Sequence, residues 1–212
     1  RPAALQGRTL AEVQENVATW YTYHRRRRHV ATNAIGLATQ DSPDFRYGLT
    51  VINDDDRLFK EIPTADDADL PANALEVYQA LSEFRWPSRG TPLIEGLDVA
   101  GQYYQDGALG GKNEPIISEC QKNYTVLFTD GHYNDNDGAG NGDQDGDGAS
   151  DTLADTAFKY YDNDLNTTLE DDVPTTDSDP VSHQHMNTFP VAFGLEGELE
   201  DTDGDGWPEP EL

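Results

Sequence analysis

Cysteine is nearly absent: the 212 residues hold one, Cys120. A single thiol excludes an internal disulfide and any metal site built on several cysteines. It suits an exported chain as readily as a cytosolic one. Cys120 itself reads as a small apolar residue where a strand begins, with a lone nucleophile as the alternative. Bases are scarce too, 14 Lys plus Arg against 41 Asp plus Glu, for a formal net charge of -27. That field repels phosphate, which argues against nucleic acid and anionic lipid as partners. No apolar run approaches the roughly 18 residues that cross a bilayer. The opening Arg1-Pro2-Ala3-Ala4-Leu5 has neither an initiator Met nor the apolar stretch of a signal peptide, and so reads as a piece of something longer or a processed form. What remains is 35% hydrophobic and 9% aromatic, which favours one folded α/β domain over wholesale disorder.

The acidity is uneven. Residues 123–212 carry 23 acids and one base, Lys159, a local net of -22, whereas residues 1–122 net only -5. A uniform solubility coat would not concentrate this way. Cation-binding loops would.

Along the chain, Thr9-Leu10-Ala11-Glu12 has the form of a capping box, and apolar residues at helical spacing follow to about Thr39. Arg25 to Arg28 fall inside that segment; consecutive helical positions cover every face, so they read as a solvated run rather than one patch. Phe45 to Ile52 reads as a strand, with Leu58 to Ile62 as a short one beside it. Pro71 is expected at the first position of a helix with Leu75, Tyr78, Leu81 and Phe84 inward. Thr91 and Pro92 are expected to open a helix running to about Tyr104. Asn123 to Thr129 is the strongest strand; a helix over 151–165, with Leu153, Ala154, Ala157, Phe158 and Tyr161 inward, precedes a last strand, Met186 to Leu195, which contains Pro190. Strands separated by helices across about 30 residues imply a largely parallel, doubly wound sheet.

Two acidic loops carry the chemistry. In the first, Asp143, Asp145, Asp147 and Asp151 stand at positions one, three, five and nine, with Gly146 between. Alternate carboxylates and a turn-making Gly are what a calcium ion with six to eight oxygen ligands requires. Position twelve is Ala154, so closure falls to Asp155 or elsewhere. The second, Asp201, Asp203, Asp205 and Glu209, repeats the spacing, with Leu212 at position twelve. A flexible acidic turn is the alternative for both. Asp130, at the end of the strongest strand, is placed for a metal in the crevice that borders the carboxyl ends of parallel strands, or else caps the next turn. His183 and His185 share a strand face, a weak zinc signal beside the plainer reading of polar residues ahead of a strand. No nucleophile elbow, phosphate loop or dinucleotide fingerprint is present, so an enzyme has little support.

Cys120-Gln121-Lys122-Asn123-Tyr124 running into Val126-Leu127-Phe128-Thr129-Asp130-Gly131 resembles the central strand of a von Willebrand factor A-type domain. Further stretches narrow the resemblance: Ala18 to Arg25 with Arg27, Gly90-Thr91-Pro92-Leu93 with Gly101-Gln102-Tyr103-Tyr104, Leu153-Ala154-Asp155, Gln184-His185-Met186 and Gly206-Trp207-Pro208. Together they resemble the PilY-type tip-associated adhesins and biogenesis factors of type IV pili. The resemblance implies a Rossmann-like A-type domain over 1–212, mostly parallel sheet with flanking helices, with acidic calcium-binding loops at 134–151 and 196–212. It also implies a metal-ion-dependent adhesion site in which Thr91 and Asp130 match two ligand positions for Mg²⁺ or Mn²⁺. The Asp-x-Ser-x-Ser loop and first strand of the family have no counterpart here. They are expected from the rest of the polypeptide or from another chain, and the last helix is expected after Leu212. The expected function is therefore metal-dependent, non-enzymatic adhesion or assembly. Its expected place is extracellular, at the cell surface or pilus, with pilus minor subunits or a host or surface ligand as partners. The alternatives are a calcium-stabilised structural module with a degenerate adhesion site and a metal-dependent hydrolase using His183 and His185.

Overall fold

The computed structural model describes residues 7–52, 58–64, 69–86, 90–105, 109–129, 131 and 140–193. Helix α1, Leu10–Tyr23, opens on the expected capping box, with Thr9 and Glu12 each satisfying the other's backbone amide. The helical segment is not continuous. It ends at His24 and restarts as α2, Arg27–Asp41. One helical turn would hold all four arginines, and the break separates these like charges. Arg25 folds back so that its guanidinium lies 4.3 Å from the centre of the Tyr21 ring.

Strands β1, Leu49–Thr50, and β2, Phe59–Lys60, form a short antiparallel pair, much shorter than the spacing of apolar residues suggests. Arg46 fixes the approach to it by donating to the carbonyls of Pro63 and Pro115. Helix α3, Leu70–Glu83, is capped by Asp69, which accepts the Ala72 amide at 3.0 Å, so Pro71 takes the second helical position. Its buried stripe is Ala74, Val77 and Leu81, not the expected Leu75 and Tyr78. Both stripes satisfy helical spacing, and only the packing partner chooses between them. Helix α4, Leu93–Tyr104, has Pro92 rather than Thr91 as its cap.

The decisive unit is β3–α5–β4. Strand β3, Asn123–Thr129, pairs in parallel with β4, Met186–Ala192, in register from Asn123 opposite Met186 to Thr129 opposite Ala192. Helix α5, Leu153–Asp162, lies between them in the chain, the crossover that a parallel pair needs. Pro190 sits opposite Leu127 without ending the ladder. Against α4, β4 and the chain before β3, α5 buries a core of Ile62, Leu97, Tyr103, Tyr104, Ile116, Tyr160, Leu165 and Met186. Burying eight such side chains contributes about 1.5–3 kcal/mol each before entropy is counted. Gly101 makes the α4–α5 contact possible, because a Cβ there would lie 2.2 Å from the Tyr160 ring.

The inward face of α5 differs from the sequence expectation. Asp155, Thr156 and Tyr160 are buried, while Ala154 and Phe158 face outward. A polar side chain is stable inside once its hydrogen bonds are met, and those of Asp155 and Thr156 are.

Candidate metal centre

The acidic loop begins at Asn141 and Gly142 and ends at Asp151, where the chain turns into α5. Its two ends are fastened to each other: the Asp151 amide donates to the Gly142 carbonyl at 3.0 Å, and the Gly142 amide donates to Asp151 Oδ1 at 2.9 Å. Asp151 takes a left-handed backbone, φ 60°, as do Gly142, Gly146 and Gly148, where glycine is free to do so. These turns bring the alternating carboxylates near one another.

Asp143, Asp145 and Asp147 each present an oxygen within 4.8 Å of the others. Two ligands at about 2.4 Å from one calcium ion can be at most about 4.8 Å apart, so the spacing fits a single shared ion. The donors are hard oxygens, as calcium prefers. All three side chains are exposed, and the loop shapes itself through them: Asp143 accepts the amides of Gly146 and Gly148 at 2.8 and 3.1 Å. Without a cation the three charges repel at close range, a cost of about 1 kcal/mol per pair in water and more where solvent is excluded.

Asp155 has a different part. It is fully buried and closes a second capping box, taking the Thr152 amide and hydroxyl on Oδ2 and the Gln144 amide on Oδ1 at 2.6 Å. The hydrogen bond from the Thr152 backbone holds its carboxyl below the usual carboxylate range, against the opposing effect of burial. Asp155 therefore supports the loop from beneath, as Asp151 ties its ends. Other anchors have no metal-ligand spacing in the sequence. Asn141 donates to Thr156 Oγ1 at 3.0 Å and accepts from Lys159 Nζ at 2.9 Å. Lys159 also reaches Asp98 of α4 at 3.2 Å. The Thr152-x-x-Asp155 spacing marks only the start of α5 and names neither Asn141 nor Lys159.

A second cluster forms at the carboxyl end of β3. Thr91, just ahead of α4, brings its hydroxyl to 3.5 Å from the point where a Cβ on Gly131 would stand. Thr129 closes the turn by donating its hydroxyl to the Gly131 carbonyl at 2.9 Å. Thr91 thus adjoins the residue that follows Asp130. Asp130 itself, and Asp201, Asp203, Asp205 and Glu209 of the second acidic loop, lie outside the described residues.

His183 and His185 are both engaged. His185 is 2% exposed, with Nδ1 at 2.7 Å from the His183 carbonyl and Nε2 at 3.1 Å from Asp179. His183 Nε2 lies 3.3 Å from the Tyr161 carbonyl. Their rings stand nearly perpendicular, 5.9 Å apart, in the packing that binds the 176–179 turn to β4. Cys120 is exposed, with its sulfur 3.5 Å from Ser118 Oγ. No described helix is long and apolar enough to cross a membrane.

With this geometry in hand, similarity to known proteins bears on the site. The chain is 26% identical over 234 residues to the type IV pilus biogenesis factor PilY1 of Pseudomonas aeruginosa strain PAO1. Over most of its length the chain is homologous to PilY1. The match covers 87% of this chain and 20% of that protein. PilY1 of strain UCBPP-PA14 matches at 27% identity over 86% of the chain. The chain therefore spans about a fifth of the length of the PilY1 relatives it matches. No family model matches the chain, and no solved structure does.

Proposed function

We propose that this chain is a metal-bearing, non-catalytic module of a type IV pilus-associated surface protein, folded as part of a von Willebrand factor A-type domain. The observation that carries the pilus role is the similarity to PilY1 over 87% of the chain. The parallel β3–β4 pair with α5 as its crossover, and Thr91 beside Gly131 at the carboxyl end of β3, support the A-type reading. In that reading Thr91 and Asp130 border a crevice for Mg²⁺ or Mn²⁺, and a neighbouring segment of polypeptide completes the ligand set.

Calcium has a separate task. Asp143, Asp145 and Asp147 would hold it, and the ion supplies the charge that lets three carboxylates stay together. The chain's own residues do the rest: Asp151 ties the loop ends, while Asp155, Asn141 and Lys159 fix the loop on α5 and α4. This anchoring favours a second reading, in which calcium only stabilises an assembly module whose adhesion crevice is inactive. The hydrolase reading fares worse, because both ring nitrogens of buried His185 already have partners.

Deleting the gene in its source organism is the test. Loss of surface pili, or of pilus-dependent attachment, restored by the wild-type gene, is the expected result; unchanged piliation and attachment would contradict the pilus role. Restoration by an Asp130→Ala gene separates the two readings, since only the adhesion crevice needs that carboxylate.

A further inference from the structure

One side-chain cluster serves neither metal region directly and contains a nucleophile beside an electrophile. Lys159, the one base after residue 122, points its Nζ at the side-chain amide of Asn141, 2.9 Å from Oδ1. The same Nζ lies 3.2 Å from Asp98 Oδ1. We propose that Lys159 and Asn141 form an intramolecular isopeptide bond, with Asp98 carrying the proton, so that the acidic loop is covalently strapped to α5.

Three features orient the groups for this reaction. The amide nitrogen of Asn141 is held by the buried Thr156 hydroxyl at 3.0 Å, which turns the carbonyl toward the lysine. Asp98 is placed by two donors, Tyr160 OH at 2.8 Å and Gln102 Nε2 at 2.5 Å, which leaves it directed at Nζ. The Lys159 stem lies over the buried Tyr160 ring, with Nζ 4.6 Å from its centre. Holding reactants in contact in this way is the main aid available to a slow amide exchange.

The step balances without any co-reactant. Asp98 accepts a proton from the Lys159 ammonium, which frees the lone pair on Nζ. Nζ then bonds to Asn141 Cγ, and the Cγ–Nδ2 bond breaks. The departing nitrogen takes one proton from Asp98 and one from Nζ, and leaves as ammonium. Asp98 ends as the carboxylate it began as.

A competing nucleophile is next to the same amide. In Asn-Gly sequences the glycine nitrogen can close on the asparagine side chain to give a succinimide, also with loss of ammonia. Here the Gly142 amide is committed to Asp151 at 2.9 Å, which holds it away from Asn141 Cγ. The lysine Nζ is instead held against the Asn141 side chain itself, 2.9 Å from its Oδ1.

Intact mass spectrometry of the purified full-length chain under denaturing conditions tests the proposal. The expected mass is lower than that of the sequence by one ammonia, and protease digestion should release one branched peptide joining the segments around Asn141 and Lys159. Lys159→Arg and Asp98→Asn should each restore the sequence mass. A wild-type chain that keeps its full sequence mass after prolonged incubation overturns the proposal. So does an ammonia loss that persists in Lys159→Arg, because that loss would be the succinimide. The branched peptide, read in the wild type, separates the two ammonia losses even if a variant fails to fold; a wild type that loses ammonia without releasing that peptide also overturns the proposal.

Discussion

The backbone amide of Gln144, in the acidic loop, donates to Oδ1 of Asp155, in the first turn of α5, at 2.6 Å. One buried carboxylate thereby serves two structures: its other oxygen completes the capping box of the helix. The loop is not an appendage. Its shape depends on a residue outside the three clustered carboxylates.

Asp155→Ala is accordingly expected to lower both the melting temperature and the calcium affinity, although Asp155 is not among the three clustered carboxylates. The substitution leaves the Gln144 and Thr152 amides without their acceptor. Thr152→Ala removes the other half of the box and should cost about 1 kcal/mol. Calorimetric titration with calcium, beside thermal melting, checks both. Unaltered calcium affinity in Asp155→Ala would show that the loop holds its shape independently of α5.

Acid should remove the contribution of Asp155. Its carboxyl titrates below the usual value of 3.8, chiefly because the Thr152 backbone donates to it. A group with a depressed folded pKa stabilises above the unfolded value and loses that effect as pH falls through the folded one. The melting-temperature gap between wild type and Asp155→Asn should be full at neutral pH and close on acidification below about pH 4. A gap that widens in acid would reverse the sign of this argument.

Alkali acts on Tyr103. Burial pushes its phenol up from 10.0 to about 12, while its oxygen accepts the Ile62 amide at 2.8 Å and its proton goes to Asn113 Oδ1 at 2.5 Å. The folded state keeps that proton longer than the unfolded chain does. The stabilisation is complete below pH 10.0 and is lost as pH rises toward about 12. Tyr103→Phe leaves the Ile62 amide unpaired, at a cost of about 1–3 kcal/mol near neutrality, and should flatten the alkaline decline. Denaturant unfolding across that range measures both effects.

Gly101→Ala tests the α4–α5 contact. The new methyl would stand 2.2 Å from the ring of Tyr160, which is 1% exposed and cannot swing aside. A loss of about 1–3 kcal/mol is expected from such overpacking. Tyr160→Phe also removes the hydroxyl that positions Asp98, and should loosen the Lys159 clamp with little change in packing volume.

Strand β3 and helix α4 were legible because each is a long apolar pattern between clear turn residues. The clustering of Asp143, Asp145 and Asp147 was legible for a different reason: alternate carboxylates around a turn-making Gly converge on one point. The inward face of α5 was not, because hydrophobic periodicity gives no weight to buried groups such as Asp155 and Thr156, whose hydrogen bonds come from residues across the loop. The anchors Asn141, Lys159 and Asp98 escaped for the same reason, since their partners are distant in sequence. The break between α1 and α2 falls at His24 to Arg26, within a polar run that an apolar pattern does not register. The neighbourhood of Thr91 and Gly131 needed the fold as well, with 39 residues of chain lying between them.

The central claim is that a cation holds Asp143, Asp145 and Asp147 together. Calorimetric titration of the wild-type chain with calcium, against a variant with all three changed to Asn, tests it most directly. We expect saturable binding to the wild type with a rise in melting temperature, and a stoichiometry lower by one ion in the variant. Equal stoichiometry in the two proteins, or no calcium response in the wild type, would contradict the account.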